Sequence, residues 1–584
     1  MNRSVTSAAL IILSCVAIAL GVALVPTTAA SETLRQLRIT APGAEVLAAE
    51  LEAAGHDVLG GSVTATTLEL IASVEETAAL RATGLDVEVV SVGRPLVEIL
   101  GGVGSGDQQL AIPPGYSDYQ GIVDQMELYA LASPVCAMVD LTTDLGMPST
   151  YEGRHLYAVR ISDNVAVDED EPAYLMVGCH HAREVVTPVL ALYAIEQLVT
   201  QYGSDPTITA LVDAYEIWIA PCWNPDGYDH VYYVDNNWRK NRQPYPGGIG
   251  VDLNRNYPQG WSNPCSGSTL PSSLTYKGPS PASEVETQTL IALSLRERFA
   301  KVMDYHSSGR EVLHGYACWS YPFDAYLESE ATAISVAAGY GGDHRGPSAD
   351  GEHYQWQFAT QGSYAFLMET ATQFQPSFAS AQSEAQLVWP STLYMLDLPI
   401  PLWGHVTDAV SGLPVEATIA YAGIAFQHDE TNPSGGPDGR YHAFLPDGTY
   451  DVVFAADGYQ TQTVENVVID GASATRLDVA MVPESAGVEL AGQPGDGGAL
   501  LVRADPLARA ITYQLARSAP VRLRIYDVRG GLVRVVIDDV QAAGRHTARW
   551  DGASYDGRPV ASGHYYYQLR TDTGAATGKM LVVR

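Results

Sequence analysis

The chain is poor in cations. Against 67 Asp and Glu it carries only 33 Lys and Arg in 584 residues, a formal net charge of −34. Such a surface repels phosphate backbones and anionic headgroups, which argues against nonspecific nucleic-acid or anionic-membrane binding. The same charge suits a solubilising surface of a salt-tolerant or extracellular protein and says little about substrate. Cysteine is scarce as well, with six residues. Cys15 lies inside an N-terminal apolar run, leaving Cys136, Cys179, Cys222, Cys265 and Cys318. Five is odd, so at least one thiol stays free or pairs between chains, and the connectivity is open. Cys179 and Cys222 end apolar runs and read as buried core thiols. Beyond the N-terminus no stretch is long and apolar enough to span a bilayer. Disorder is not the explanation for what is missing, because 46% of the residues are hydrophobic and support a large core.

What is present begins with a targeting pattern. Arg3 precedes an almost wholly apolar Ala8 to Val25, and Thr28-Ala29-Ala30 offers small residues for cleavage. Residues 1–30 are read as a signal peptide and the protein as secreted, an uncleaved anchor being the alternative. Residues 31–100 come next as a small α+β module. Strand patterns at Leu37 to Thr40, Val63 to Ser73 and Leu85 to Val92 alternate with helix patterns at Ala44 to Gly55 and Val74 to Gly84, each closed by Gly. In an exported chain this is a pro-region or a constitutive accessory domain. A Gly/Ser/Pro-rich linker spans residues 101–115. No Lys or Arg occurs from Pro95 to Gly153, so a protease specific for basic residues cannot cut in this linker.

Residues 116–400 form the largest unit. Compact apolar runs such as Ala173 to Val177, Tyr215 to Ala220 and Tyr364 to Met368 alternate with helical patterns such as Thr187 to Tyr202 and Glu284 to Phe299, which predicts an α/β fold. Polar clusters stand where the runs end. Gly178-Cys179-His180-His181-Ala182-Arg183-Glu184 lies between a strand and a helix, and its His181-x-x-Glu184 spacing lets an imidazole and a carboxylate converge on one zinc ion. Alone the pattern is weak, since a surface His beside a helix-start Glu has the same spacing. The further clusters are Asn224-Pro225-Asp226-Gly227, the cationic Asn236 to Arg242, Val251 to Tyr257, a strand ending in His306-Ser307, and a strand ending in Glu369.

Taken in order, H-A-R-E, N-P-D-G, N-x-W-R-K-x-R, V-D-x-N-R-N-Y, Y-K-G-x-x-x-x-S-E-x-E, a strand ending in H-S and a strand ending in E resemble the zinc metallocarboxypeptidases, the family of carboxypeptidases A and T, over about Tyr116 to Phe374. The resemblance implies one zinc ion per catalytic domain, held by His181, Glu184 and His306 with a fourth position left for water. His180 competes with His181, and the family spacing selects His181. Asp252 is implied as the carboxylate that orients the first ligand histidine. Glu369 is implied as the general base and Arg239 as the cation facing the oxyanion. Asn254 and Arg255 are implied as the clamp on the substrate's free C-terminal carboxylate, a guanidinium binding a carboxylate through two parallel hydrogen bonds. Arg183 and Ser307 are expected along the substrate groove. The partners are then peptides or proteins with a free C-terminal carboxylate, and no nucleic acid.

One element of the family pattern is missing. A mobile Tyr is usual nine residues before the Trp that Trp356 matches, and Pro347 stands there. Tyr340 and Tyr354 are the nearby tyrosines. Tyr354, two residues before the Trp, is expected in the substrate pocket, and it favours apolar or aromatic C-terminal residues, although Asp343, Asp350 and Glu352 share the loop.

Two all-β units complete the chain. Residues 401–483 resemble the transthyretin-like β-sandwich of regulatory carboxypeptidases. After a Gly-rich linker at 484–500, residues 501–584 resemble the immunoglobulin-type module of flagellar hook-capping proteins, which suggests contact with the cell surface or the secretion machinery; a passive spacer is the alternative. The expected architecture is multidomain: an α/β catalytic domain with a mixed central sheet flanked by helices, a small α+β pro-region before it, and two β-sandwich modules after it. The expected activity is zinc-dependent removal of C-terminal residues from peptides. The competing readings are an inactive homologue used for binding or adhesion, and a related zinc amidase or cell-wall peptide hydrolase.

Overall fold

The computed structural model describes residues 33–100, 115–484 and 501–582, apart from positions 437, 472, 506–509, 516, 528–530, 556, 561–562 and 573. The expected signal peptide and both linkers, save positions 115 and 484, lie outside the described residues. Among the described residues no helix is long and apolar enough to cross a membrane. The chain divides into two compact units, residues 1–482 and 483–584.

The first unit opens with a four-stranded antiparallel sheet in the order Asp57–Val58, Thr67–Ala72, Arg35–Thr40, Asp86–Val92, covered by helices Ala44–Ala53 and Val74–Ala82. The second helix starts on a capping box, with Ser73 and Glu76 satisfying each other's backbone N–H groups. Leu37, Ile39, Leu68, Leu70 and Leu80 form the core of this small module. Three hydrogen bonds fasten it to the loop at positions 235 and 236: the Leu34 N–H donates to Asp235 Oδ2 at 2.7 Å, the Arg94 N–H donates to Asn236 Oδ1 at 3.0 Å, and the Asn236 N–H donates to the Arg94 carbonyl at 3.0 Å.

The large unit is built on an eight-stranded mixed sheet. Its order is His344–Arg345, Glu311–Leu313, Tyr364–Thr370, Lys301–Ser307, Ala173–Gly178, Glu216–Ala220, Tyr157–Ile161, Cys136–Asp140. The four central strands run parallel, and the pairs toward the Cys136–Asp140 edge are antiparallel. Central strands covered on both faces are mainly apolar, and every residue of Ala173–Gly178 and Glu216–Ala220 is buried. Helices Val186–Gln201 and Phe378–Asp397 pack together; the first buries Leu190, Ala194, Ile195 and Leu198, the spacing of one helical face. Cys265 and Cys318 form a disulfide, while Cys136, Cys179 and Cys222 are buried free thiols.

Residues 402–481 form two small sheets, Arg440–Ala443, Leu402–Asp408, Thr475–Arg476 with Val479–Met481 beside them, and Thr418–Tyr421, Gly448–Ala455, Gln462–Ile469. Phe323 of the large unit enters their shared core. Polar contacts reinforce the junction: the Thr431 N–H donates to the Ala359 carbonyl at 2.7 Å, and Arg440 pairs with Asp170 at 2.6 Å. The second unit is also all-β, with sheets Leu501–Asp505, Ala510–Leu515, Gly544–Arg549 and Leu532–Gln541, Ala519–Tyr526, Gly563–Arg570, Ala575–Val582 around Ile511, Tyr513, Leu523, Ile525 and Trp550.

Candidate metal centre and substrate groove

The site lies at the C-terminal ends of the parallel strands, where carbonyl groups and loop side chains meet outside the sheet. After strand Ala173–Gly178 the chain turns sharply. The Glu184 N–H donates to the His181 carbonyl at 3.1 Å and the Thr187 N–H to the Glu184 carbonyl at 3.1 Å before helix Val186–Gln201 begins. Gly178 is needed here for close approach, because a Cβ would stand 2.8 Å from the Pro221 carbonyl oxygen. Asn224, which caps helix Pro225–Tyr233, also donates to the His180 carbonyl at 3.0 Å and ties the two loops together.

This turn presents His181 and Glu184 to His306, the sixth residue of strand Lys301–Ser307. His181 Nδ1 lies 2.7 Å from Glu184 Oε1 and 3.0 Å from His306 Nδ1, and His306 Nδ1 lies 3.2 Å from Glu184 Oε2. All three residues are buried. Two imidazole nitrogens and a carboxylate oxygen facing one point are the donor set of a catalytic zinc site, so these residues fit the ion that the motif implies. Burial pushes the Glu184 carboxyl up, but His181 and His306 outweigh it and hold it below the usual range.

Behind the site, His181 Nε2 lies 3.1 Å from Asp252 Oδ1, while Asp252 Oδ2 accepts from Arg239 Nε at 3.0 Å. Burial again opposes ionisation of Asp252, yet Arg239 and His181 hold it well below the ordinary carboxylate range. Asp252 thus fixes both an imidazole and a guanidinium. Glu369 is in register with His306 on the neighbouring parallel strand. Its Oε2 is enclosed and has no hydrogen-bond partner, and burial, followed by the Glu184 charge, pushes its carboxyl up to about 7.

Arg255 Nη1 pairs with Glu352 Oε1 at 2.7 Å, and Asn254 Oδ1 accepts the His353 N–H at 2.9 Å. Arg183 is almost fully buried, with the Phe374 ring 4.4 Å from its guanidinium carbon. Ser307 is buried beside His306, its Oγ without a partner, and its N–H donates to Glu184 Oε2 at 3.1 Å.

The expectation for Tyr354 is corrected. Tyr354 is fully buried and its hydroxyl donates to the Gly315 carbonyl at 3.0 Å, so it presents no free group to a substrate. Tyr340 is also buried, its hydroxyl held by Glu384 at 2.7 Å. Both rings are core residues here, and neither can swing without breaking a buried hydrogen bond.

Sequence alone also misses residues. Glu352, buried against Arg255 with Oε2 unpaired, reads there only as a loop acid. Asp304, two residues before His306, reads as part of an apolar strand. Asp57, from the N-terminal module, lies inside the site. Its carboxylate pairs bidentately with Arg183, Nη2 to Oδ1 at 2.8 Å, and stands 3.7 Å from Arg239 Nη1. Burial raises the Asp57 carboxyl, but Arg183 and Arg239 more than compensate and keep it ionised. No motif surrounds Asp57, and only the docking of the module reveals it.

Residues 138–393 match the zinc carboxypeptidase family, residues 401–482 the carboxypeptidase regulatory-like domain and residues 507–575 the FlgD Ig-like domain. Among similar proteins, a zinc carboxypeptidase of Saccharothrix mutabilis subsp. capreolus is 36% identical over 241 residues, covering 40% of this chain and 54% of the relative. Metallocarboxypeptidase A of Trichophyton rubrum is 36% identical over 197 residues, covering 32% of this chain and 46% of the relative. The chain thus spans about half the length of these curated relatives. The crystal structure of carboxypeptidase A from Helicoverpa armigera superposes with a TM-score of 0.51 at 20% identity, over 62% of this chain and 96% of that one, which establishes the shared fold. Fold, motif order and a His–Glu–His donor set therefore place residues 138–393 in the zinc carboxypeptidase family, whose members use one zinc ion, followed by a carboxypeptidase regulatory-like and a FlgD Ig-like domain.

Proposed function

We propose that the protein is a secreted carboxypeptidase that hydrolyses the last peptide bond of peptides with a free C-terminal carboxylate, and that residues 31–100 hold it latent. The observation that carries this reading is the convergence of His181, Glu184 and His306 beside the unpartnered Glu369 carboxylate. These three residues would hold the zinc ion, which when bound supplies Lewis acidity to the scissile carbonyl and lowers the pKa of water. Glu369 takes the proton of the attacking water and returns it to the leaving amine; a carboxyl raised toward neutrality suits both transfers. Arg239, anchored by Asp252, faces the oxygen on which charge develops. Asn254 and Arg255 bind the terminal carboxylate, and Glu352 neutralises Arg255 until substrate arrives. Latency is supported by Asp57, which engages the two groove arginines as a substrate carboxylate or carbonyl would.

The test is mass spectrometry of free and C-terminally amidated peptides after incubation with the chain freed of residues 1–100. Stepwise loss of C-terminal residues from free peptides only, abolished by a zinc chelator and restored by zinc, is the expected result. Equal cutting of amidated peptides would overturn the clamp assignment and favour the amidase reading. No cutting by zinc-loaded protein would favour the binding-protein reading.

A further inference from the structure

We propose that Asp304 is the positioning residue of the third metal-binding histidine, acting from a fully buried network of Tyr257, His180, His353 and Gln357. The inference rests on the reading of His181, Glu184 and His306 as the zinc site. Asp304 and His306 are two residues apart in strand Lys301–Ser307 and so project to the same face of the sheet. Asp304 Oδ1 lies 3.4 Å from His306 Nε2 and 2.9 Å from His180 Nδ1, and Oδ2 lies 3.2 Å from His353 Nδ1. Asp304, His180, His353, Tyr257 and Gln357 are all 0% exposed.

Outer partners hold the far nitrogens of the two neighbouring rings. The Tyr257 hydroxyl lies 3.0 Å from His180 Nε2, which leaves Nδ1 on the side of Asp304. The Gln357 amide donates to His353 Nε2 at 2.9 Å, which leaves the His353 proton on Nδ1, again toward Asp304. His306 turns Nδ1 to Glu184 and His181, which leaves Nε2 on the side of the same carboxylate. Three imidazole rings thus turn a nitrogen toward one carboxylate. His180 Nδ1, Asp304 Oδ1 and His306 Nε2 are buried and face one another without completing a hydrogen bond, while His353 Nδ1 bonds Asp304 Oδ2.

The charge balance distinguishes this role from simple packing. A buried carboxylate is ordinarily paired with Arg or Lys. The ion-pair contacts of Asp304 are imidazoles alone. A cation held on the Nδ1 side of His306 would supply a compensating charge. Asp252 stands in the same relation to His181, so each ligand imidazole has its own buried carboxylate. The network also reaches the clamp, because the His353 N–H is held by Asn254.

The test uses the full chain and reads zinc rather than turnover. Asp304→Asn keeps the shape but turns an amide N–H₂ toward the imidazole nitrogens. Its zinc dissociation constant, measured by competition with a chromogenic chelator, is expected to rise about 10- to 100-fold, the usual cost of losing such a partner. The visible absorption of the cobalt-substituted protein should shift, and far-UV circular dichroism should be retained. His353→Gln, one bond farther from the metal, should change zinc affinity in the same direction and serves if Asp304→Asn does not fold. An unchanged dissociation constant and cobalt spectrum in a folded variant, with wild type binding one zinc, would overturn the role of Asp304 and leave the zinc reading intact. Wild type binding no zinc would overturn both. Two zinc ions per chain would also overturn it, assigning His180, Asp304 and His306 to a second cation.

Discussion

Replacing Asp57 by Asn tests how the N-terminal module silences the site. Asp57 and Arg183 are both buried and paired through two contacts, and Arg239 stands 3.7 Å away. Asparagine keeps the volume but removes the charge, leaving Arg183 and Arg239 without this counter-ion. Breaking a buried ion pair by removing one partner costs about 3–5 kcal/mol. The loss falls on the docked state, because an undocked module exposes both arginines and the carboxylate to water. Even the lower figure shifts the balance between covered and open groove by about 100-fold. The intact Asp57→Asn chain should therefore hydrolyse a small free peptide with kcat/KM about 100-fold above intact wild type. Enzyme freed of residues 1–100 by cleavage should be identical from either parent, since the substituted position is gone. The assay is continuous hydrolysis of a chromogenic peptide by intact chain, with electrophoresis showing that no cleavage has occurred. If intact Asp57→Asn is as silent as wild type while the cleaved enzyme is active, Asp57 does not contribute to latency.

The remaining predictions concern base, fold and docking. Glu369→Gln should lower kcat by about 10²- to 10⁴-fold with one zinc still bound, read by steady-state kinetics and metal analysis; retained turnover would remove Glu369 from proton transfer. Burial, then the neighbouring Glu284, push the Glu286 carboxyl up to about 8, above the ordinary 4.5. A raised carboxyl stabilises the fold below pH 4.5, and that contribution is lost as pH rises through 8. The shift corresponds to a loss on the order of 5 kcal/mol across that window. Glu286→Gln cannot ionise, so its melting temperature relative to wild type should climb from pH 5 to pH 9, and a parallel pair of profiles would refute the assignment. A Cβ at Gly93 would stand 1.8 Å from Asp235 Oδ1, the carboxylate that holds the Leu34 N–H. Gly93→Ala should cost about 1–3 kcal/mol, seen as a lower melting temperature and a partial rise in the activity of the intact chain.

Much of this protein is decided locally and so is legible in the chain. Two-sided burial of a parallel strand demands an unbroken apolar run, and Ala173–Gly178 announces itself that way. The capping box at Ser73 and Glu76 and the Asn224-Pro225 helix start are likewise written in neighbouring residues. Short-range chemistry also marks His181 and Glu184, because two ligands on one turn must keep a fixed spacing. What tertiary structure alone decided are contacts between residues distant in sequence. Asp57 meets Arg183 across 126 positions, and nothing local distinguishes it from a surface acid. Tyr354 sits at a pocket position by motif, yet helix His353–Gln361 turns its hydroxyl to Gly315. Asp304 reads as one polar residue in a buried strand until His180 and His353 arrive from other elements. Spacing encodes what one turn or strand must do alone; a buried charge has its meaning set by what folds against it, since only desolvated neighbours fix whether it is paired, strained or poised.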